Sequence, residues 1–155
     1  MKHALRSALF AVVGVLASGL HQACHAVEIR GIGGKCLDVA RGGTINGTDV
    51  EIWTCGVRYP NQRWTFVGET IVGIGGKCLD VSGGHTANGT RVQMWDCRGG
   101  PNQRWHFSDG QLIGMGHKCL DVAEGSTDDG TLVLLWDCHG GPNQRWTLLP
   151  SVIAP

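Results

Sequence analysis

The sequence predicts an all-β domain built from three copies of one unit of about 40 residues. The first observation is the repeat itself, since Gly31–Val39 and Asn61–Trp64 each recur twice at intervals of 41 to 42 positions, as 73–81 and 114–122 and as 102–105 and 143–146. The second is the lack of any sustained helical periodicity. A unit of this size cannot bury a core alone, so we expect the three units to share one.

Composition excludes several other classes of protein. The chain has 155 residues with 25 Gly, six Trp, only 17% charged residues and a formal net charge of +0. This length is short for a two-domain enzyme, and so much Gly with so little charge argues against a helical bundle or a disordered charged tail. A neutral chain also lacks the basic surface that binds nucleic acid.

The N-terminal segment 1–26 has the pattern of a secretory signal. A basic start with Lys2 and Arg6 precedes an uncharged run over 7–20, and Ala26 provides a small residue before the predicted cleavage site. The run is too short for a membrane span. A buried helix, or a lipoprotein site at Cys24, are the alternatives. Cleavage after Ala26 removes two basic residues and no acid, which leaves 11 basic and 13 acidic residues over 27–155 and a net charge of −2.

Six cysteines remain in the predicted exported chain. They lie in pairs 19 positions apart, one pair in each unit: Cys36 and Cys55, Cys78 and Cys97, Cys119 and Cys138. In an oxidising extracellular or periplasmic compartment an even count predicts disulfides, and among the 15 possible pairings three equivalent local bridges are the simplest. Each would contribute about 3 kcal/mol in the chain-entropy model. No Cys-x-x-Cys occurs, so we expect no metal, and no motif implies a cofactor.

Within each unit, in order, the sequence predicts short strands. An alternating run at Cys36–Ala40 is followed by Asn46-Gly47, whose slot holds Asn88-Gly89 and Asp129-Gly130 in the other units. Such dipeptides predict a two-residue hairpin. Asn46 and Asn88 also fit the glycosylation sequon, but Asp129 in the same slot favours a turn. Further strands are predicted at 50–53, 92–95 and 133–136, and a last strand at each Gln-Arg-Trp.

This combination resembles the ricin B-chain type lectins. The shared features are three units with Cys-Leu-Asp-Val, a hairpin, an aromatic residue before the second Cys, and Gln-x-Trp; they span 29–148, with units at 31–66, 73–107 and 114–148. The resemblance implies a β-trefoil, in which six strands form a closed barrel and six form its hairpin cap. It predicts a single domain over 27–155. A closed barrel is favourable, because it leaves no sheet edge with unpaired backbone groups.

The six tryptophans fall into two groups. With period two, Trp53 lies on the face opposite Val50 and Ile52, and Trp95 and Trp136 repeat this placement. An exposed indole can stack on the C–H face of a sugar ring, although it could instead only cover the nearby disulfide. One observation favours covering, because Cys55 shares the parity of Trp53. The other group, predicted to lie in the core, is Trp64, Trp105 and Trp146.

An aspartate precedes each outward tryptophan by 15 positions. Its carboxylate can accept hydrogen bonds from two neighbouring sugar hydroxyls, or it can simply form a turn before the Gly-rich loop. The resemblance favours binding: the Asp holds hydroxyls, the aromatic stacks, the Asn adds a hydrogen bond and the Gln supports the Asp. Matched onto this sequence, the candidate sugar-binding residues are Asp38, Trp53, Asn61 and Gln62; Asp80, Gln93, Trp95, Asn102 and Gln103; and Asp121, Trp136, Asn143 and Gln144.

The three predicted sites are not identical. Gln93 keeps the polar residue two positions before the aromatic, Glu51 changes it and Leu134 loses it. The first unit also has one extra residue before Pro60, which alters its rim. We therefore rank the second site first, the third next and the first last.

The sequence thus predicts a secreted, non-catalytic lectin with up to three sites, galactose-type sugars being the leading ligands. The histidines do not recur in register, and the three aspartates are copies of one position rather than an acid pair, which argues against an enzyme. Glycans are the expected partners, without nucleic acid or membrane insertion. The alternatives are a protein-binding trefoil, such as a toxin accessory subunit or inhibitor, and a xylan- or mannan-binding module.

Overall fold

The computed structural model describes residues 25–151, so most of the predicted signal segment and residues 152–155 lie outside the described part. The strands within it are β1 (Val27–Arg30), β2 (Cys36–Val39), β3 (Thr48–Trp53), β4 (Thr65–Val67), β5 (Thr70–Val72), β6 (Cys78–Val81), β7 (Thr90–Trp95), β8 (His106–Ser108), β9 (Gln111–Ile113), β10 (Cys119–Val122), β11 (Thr131–Trp136) and β12 (Thr147–Pro150). Residues 25–151 contain no α-helix, only nine single-turn 3-10 segments. None of these short segments is long and apolar enough to cross a bilayer.

All twelve strands join one curled sheet with threefold symmetry. Each unit contributes an antiparallel hairpin, β2–β3, β6–β7 or β10–β11, in equivalent register. The inner strands then pair in a cycle, β3 with β7, β7 with β11 and β11 with β3. Four residue pairs between β1 and β12 bring the two ends of the domain together. This is the predicted β-trefoil.

One hydrophobic core lies on the axis, as the repeat length requires. Leu37, Val39, Val50 and Ile52 of the first hairpin are fully buried, and the equivalent positions of the other hairpins are at most 1% exposed. The second group of tryptophans completes this core: Trp64, Trp105 and Trp146 are 0%, 3% and 3% exposed. Each buried indole N–H donates a 3.0 Å hydrogen bond to a leucine carbonyl of its own unit, so burial leaves no polar group unpaired.

Each core tryptophan also explains a repeated glycine. A Cβ on Gly73 would lie 2.8 Å from the ring of Trp64, and Gly114 and Gly31 stand in the same relation to Trp105 and Trp146 at 2.7 Å. The indole of one unit therefore packs on the backbone that opens the next unit. The third unit packs on the first, which closes the ring. The contact is a matter of space, because the φ values of these glycines are near −115°.

The three predicted disulfides are present. Cys36–Cys55, Cys78–Cys97 and Cys119–Cys138 each join the start of one hairpin strand to the loop that follows its partner strand. Each bridge therefore lies next to an outward tryptophan, at the end of the hairpin.

The Asn-Gly prediction is wrong in its loop type. In the β2–β3 hairpin the last pair is Val39 with Val50, so ten residues lie between the paired positions, and Asn46-Gly47 forms a turn within that segment. Only Gly47 has positive φ, which excludes the type I′ turn of a two-residue hairpin. Such a turn occurs instead at Asp109-Gly110, where both residues have positive φ between β8 and β9.

The last strand of each unit starts later than predicted. A 3-10 turn covers Pro60–Gln62, and β4 begins only at Thr65. Proline at the first position fixes its φ for this turn, and the Gln62 N–H donates to the Tyr59 carbonyl. The turn carries the Gln62 side chain into the interior, and the same turn recurs at Pro101–Gln103 and Pro142–Gln144.

Candidate functional site

Three surface cavities lie at equivalent positions in the three units. We call them the first, second and third cavity, and their volumes are about 560, 400 and 410 Å³. Each is lined by the aspartate, outward tryptophan and asparagine predicted for its unit, respectively Asp38, Trp53 and Asn61; Asp80, Trp95 and Asn102; and Asp121, Trp136 and Asn143. The structure therefore brings the predicted residues together, while their part in sugar binding stays a prediction.

The aspartate forms the floor of each cavity. Asp80 comes from β6, all four residues of which are buried, and its side chain is held by three amides. Asn102 and Gln103 donate to one carboxylate oxygen at 2.7 and 2.8 Å, and Gln93, directly opposite on β7, donates to the other at 3.1 Å. Asp80 is only 3% exposed. Its carboxylate is therefore fixed in position with acceptor capacity left toward the cavity.

The buried glutamine is the support for this arrangement. Besides Asp80, the Gln103 amide donates to the Asp96 carbonyl at 2.9 Å, and its oxygen accepts from the Arg98 and Gly99 N–H groups at 2.7 and 3.1 Å. One side chain thus ties the aspartate to the loop that follows Trp95. Gln62 and Gln144 make equivalent contacts to Asp38 and Asp121 at 2.8 and 2.7 Å.

The outward tryptophans form the cavity walls. Trp53 and Trp136 are each 40% exposed, and Trp95 is partly exposed. The parity of Cys55 does not bring Trp53 under cover, because β3 ends at Trp53 and the chain leaves the strand direction. The indoles therefore present a face to solvent, as stacking on a sugar ring requires.

Each tryptophan is supported by a turn from a different unit. A Cβ on Gly47 would lie 3.9 Å from the Trp95 ring, and Gly89 and Gly130 approach Trp136 and Trp53 to 3.7 Å. Asn46 fixes the first of these turns, since its side-chain Oδ1 accepts hydrogen bonds from the Asp96 backbone N–H at 2.9 Å and from the Lys77 ammonium at 3.0 Å. The tryptophan of every cavity consequently rests on a turn of another unit, and in the first cavity Gly130 of that turn also lines the cavity.

The position of the carboxylate in this contact between units varies. Asn46 and Asn88 donate a side-chain hydrogen bond to Asp96 and Asp137 of the next unit, whereas at the third contact Asp129 accepts one from the Thr54 hydroxyl. In each case a lysine, Lys77, Lys118 or Lys35, bonds to the carboxylate. The lysine hydrogen bond lowers the pKa of Asp96, Asp137 and Asp129.

Burial dominates the electrostatics of the cavity floors. Desolvation raises the pKa of Asp38 and Asp80, and the amide hydrogen bonds from Gln62 and Gln103 oppose that rise. In the first cavity Glu51 is also present, and its pKa is raised by burial and then by the negative charge of Asp38. The sequence-based argument against an acid pair considered only the three aspartates and overlooked this carboxylate.

Several wall residues were not predicted. The first cavity includes Arg41 and Tyr59, the second Arg98, and the third Glu124 and His139. The imidazole Nε2 of His139 lies 3.4 Å from the Asp121 carboxylate. The signal for most of them was divergence between otherwise repeated copies, as in Arg41, Gly83 and Glu124, which share one slot. Gly130 was missed because its turn belongs to another unit.

The one group of potential metal ligands among residues 25–151 is Glu28 with Cys36 and Cys55. Both sulfurs are joined in a disulfide, and the Glu28 carboxylate pairs with Arg30 and Arg63 at 2.9 Å. A disulfide offers no thiolate, so these residues do not fit a metal ion.

This fold and these cavities define a carbohydrate-binding lectin domain of the β-trefoil class. The model of the ricin-type β-trefoil lectin domain family matches residues 25–146, and the chain belongs to that family. A comparison with curated proteins finds no match.

Solved structures support the assignment. A designed threefold-symmetric protein, ThreeFoil, is 32% identical with a TM-score of 0.74, and the match covers 80% of this chain and 97% of that one. The agglutinin of Abrus precatorius is 28% identical with a TM-score of 0.72, covering 84% and 51%. An exo-β-1,3-galactanase of Clostridium thermocellum is 29% identical with a TM-score of 0.76, covering 83% of this chain but only 31% of the enzyme.

An earthworm R-type lectin C-half, whose structure was determined in complex with GalNAc, shows the same fold at 22% identity and a TM-score of 0.69. The match covers 81% of this chain and 98% of that one.

Proposed function

We propose that this chain is a secreted, non-catalytic lectin that binds galactose-type sugars in up to three cavities. The observation that carries the proposal is the threefold recurrence of a fixed carboxylate beside an exposed indole. The carboxylate accepts hydrogen bonds from two adjacent hydroxyls, the asparagine adds a polar contact, and the indole stacks on the apolar face of the ring. The GalNAc bound by the earthworm lectin supports galactose-type sugars as the first ligands to test.

The geometry of the first cavity is consistent with binding rather than hydrolysis. Asp38 and Glu51 are direct antiparallel partners on β2 and β3, so their side chains extend from the same face of the sheet. A glycosidase places its two carboxyl groups on either side of the scissile bond. A sugar stacked on Trp53 would instead have both acids on one side, where their carboxylates accept hydrogen bonds from its hydroxyls.

Titration calorimetry with galactose, lactose, xylose and mannose tests the proposal on the exported chain. We expect dissociation constants of about 1 mM per site for galactose-type sugars. The triple variant W53A/W95A/W136A should lose this binding, whereas V67A, which truncates an exposed side chain on the β4–β5 hairpin, should retain it. Mass spectrometry of the secreted protein should show a chain that begins at Val27.

Two results would contradict the proposal. One is a folded protein that binds none of these sugars or a wider glycan panel. The other is a triple variant that binds as well as the parent. Binding to xylose or mannose chains alone would overturn the galactose assignment. Melting curves check that the triple variant remains folded, which we expect because Trp53 and Trp136 are already 40% exposed in the parent.

A further inference from the structure

One position on the cavity floor changes its chemistry between the three units. Directly opposite the buried aspartate stand Glu51 in the first cavity, Gln93 in the second and Leu134 in the third. Gln93 donates a hydrogen bond from its amide to Asp80 at 3.1 Å, so the floor of the second cavity contains its own donor. Glutamate has the same shape as glutamine but cannot donate when ionised.

The floor of the first cavity is therefore made of two acceptors. Asn61 and Gln62 donate to Asp38 from one side, but within residues 25–151 no side chain donates to Glu51. In the described part of the chain Arg41 lowers the pKa of Glu51 without forming an ion pair with it within 4 Å, whereas burial, Asp38 and Asp129 raise that pKa. A ligand that brings positive charge and several N–H donors to this floor would satisfy both carboxylates.

We propose that the first cavity selects glycans that carry a free amine, with Glu51 as the residue that determines this specificity. This inference rests on the proposed function of the same site and names its ligand class. The ammonium group of a 2-amino-2-deoxyhexose provides three donors, which the carboxylates of Asp38 and Glu51 can share. The sugar ring stacks on Trp53, whose face also attracts the positive charge.

The other two cavities lack this combination. In the second cavity the neutral Gln93 replaces the second carboxylate, while the first and second cavities each have one arginine on the wall, Arg41 and Arg98, so an ammonium group meets less negative charge in the second. In the third cavity the second carboxylate, Glu124, lies on the wall, whereas Leu134 occupies the floor position opposite Asp121 and offers no acceptor. His139 also lies 3.4 Å from the Asp121 carboxylate, where an ammonium group would have to bind. An acetylated amine, with no charge and a single N–H, should gain less from Glu51 than a free amine does. The three cavities would then differ in ligand although they share one fold.

The test compares galactosamine with galactose at a single cavity. In the W95A/W136A background, where the first cavity keeps its tryptophan, calorimetry should show galactosamine bound about 3- to 10-fold more tightly than galactose at neutral pH and low salt. The preference should weaken at 0.5 M salt. Adding E51Q should bring the ratio of the two dissociation constants close to one, whereas E69Q, which removes an equal charge from an exposed loop, should preserve the preference.

The reciprocal variant keeps the test independent of any loss at Glu51. In the W53A/W136A background, Q93E should give the second cavity a preference for galactosamine that the parent cavity lacks. Equal affinities for the two sugars at the first cavity, or an unchanged ratio in both E51Q and Q93E, would overturn the inference while galactose binding still supported the lectin function. Absence of binding by either sugar in folded protein would instead refute the proposed function itself.

Discussion

Glu51 also affects stability at the scale of a single residue. Burial and the charge of Asp38 raise its pKa in the folded protein, so folding favours the protonated form. An acid whose folded pKa lies above its unfolded pKa binds more protons when folded. The free energy of unfolding therefore falls as the pH rises from the unfolded pKa of Glu51 through its higher folded pKa. The ionised glutamate consequently lowers stability at neutral pH.

The variant E51Q should accordingly be more stable than the parent at pH 7. We expect a gain below about 1 kcal/mol, because Glu51 is partly exposed and solvent screens its charge. The gain should shrink toward zero below the usual pKa range of glutamate, where the parent residue is protonated in both states. Urea denaturation at pH 7 and pH 3.5 measures this difference, with E69Q as the matched loss of charge. A lower stability of E51Q at pH 7 would contradict the assigned cause.

At the scale of strands and turns, local pattern predicted what depends on one unit. Alternation placed Val50 and Ile52 inward and Trp53 outward, because side-chain direction in a strand has period two. Equal spacing likewise predicted the disulfides. The loop type at Asn46-Gly47 could not be predicted, since its turn is set by a hydrogen bond from the Gly47 N–H to the Met94 carbonyl of the next unit. The contribution of Gly130 to the first cavity was missed for the same reason.

The turn at Asn46 predicts that one destabilising substitution can be compensated by a second one in the next unit. In N46D a second carboxylate faces Asp96, where the amide now donates at 2.9 Å, so we expect a loss of about 1 kcal/mol in stability and weaker sugar binding at the second cavity. The double variant N46D/D96T reproduces the arrangement of Asp129 with Thr54 and Lys35 found between the third and first units. It should recover most of the stability, in a non-additive manner.

Urea denaturation of N46D, D96T and the double variant, each compared with the parent, measures the coupling between the two positions as a double-mutant cycle. Calorimetry in the W53A/W136A background reports the second cavity alone. Strictly additive losses would show that the contact between units does not depend on the charge of its partners.

At the scale of the whole molecule, closure of the ring arranges three cavities about one axis. Each unit packs its core tryptophan on the next unit, and the β3, β7 and β11 strands pair in a cycle. The three cavities have separate linings and lie at equivalent positions on one body. If all three cavities bind sugar as proposed, they would engage several sugars of a glycan-coated surface at once, where effective concentration raises the apparent affinity.

This predicts a large difference between monosaccharide and surface binding. Removing one site by W95A should leave the affinity of the other two sites for free galactose unchanged in calorimetry, whereas retention on a dense galactose-coated sensor should weaken by about 10-fold or more. The W95A/W136A protein should bind that surface no more tightly than it binds free galactose, because one site gains nothing from density. If single-site and three-site proteins dissociate from the surface at the same rate, the cavities do not act together, and the threefold arrangement stabilises the fold without contributing avidity.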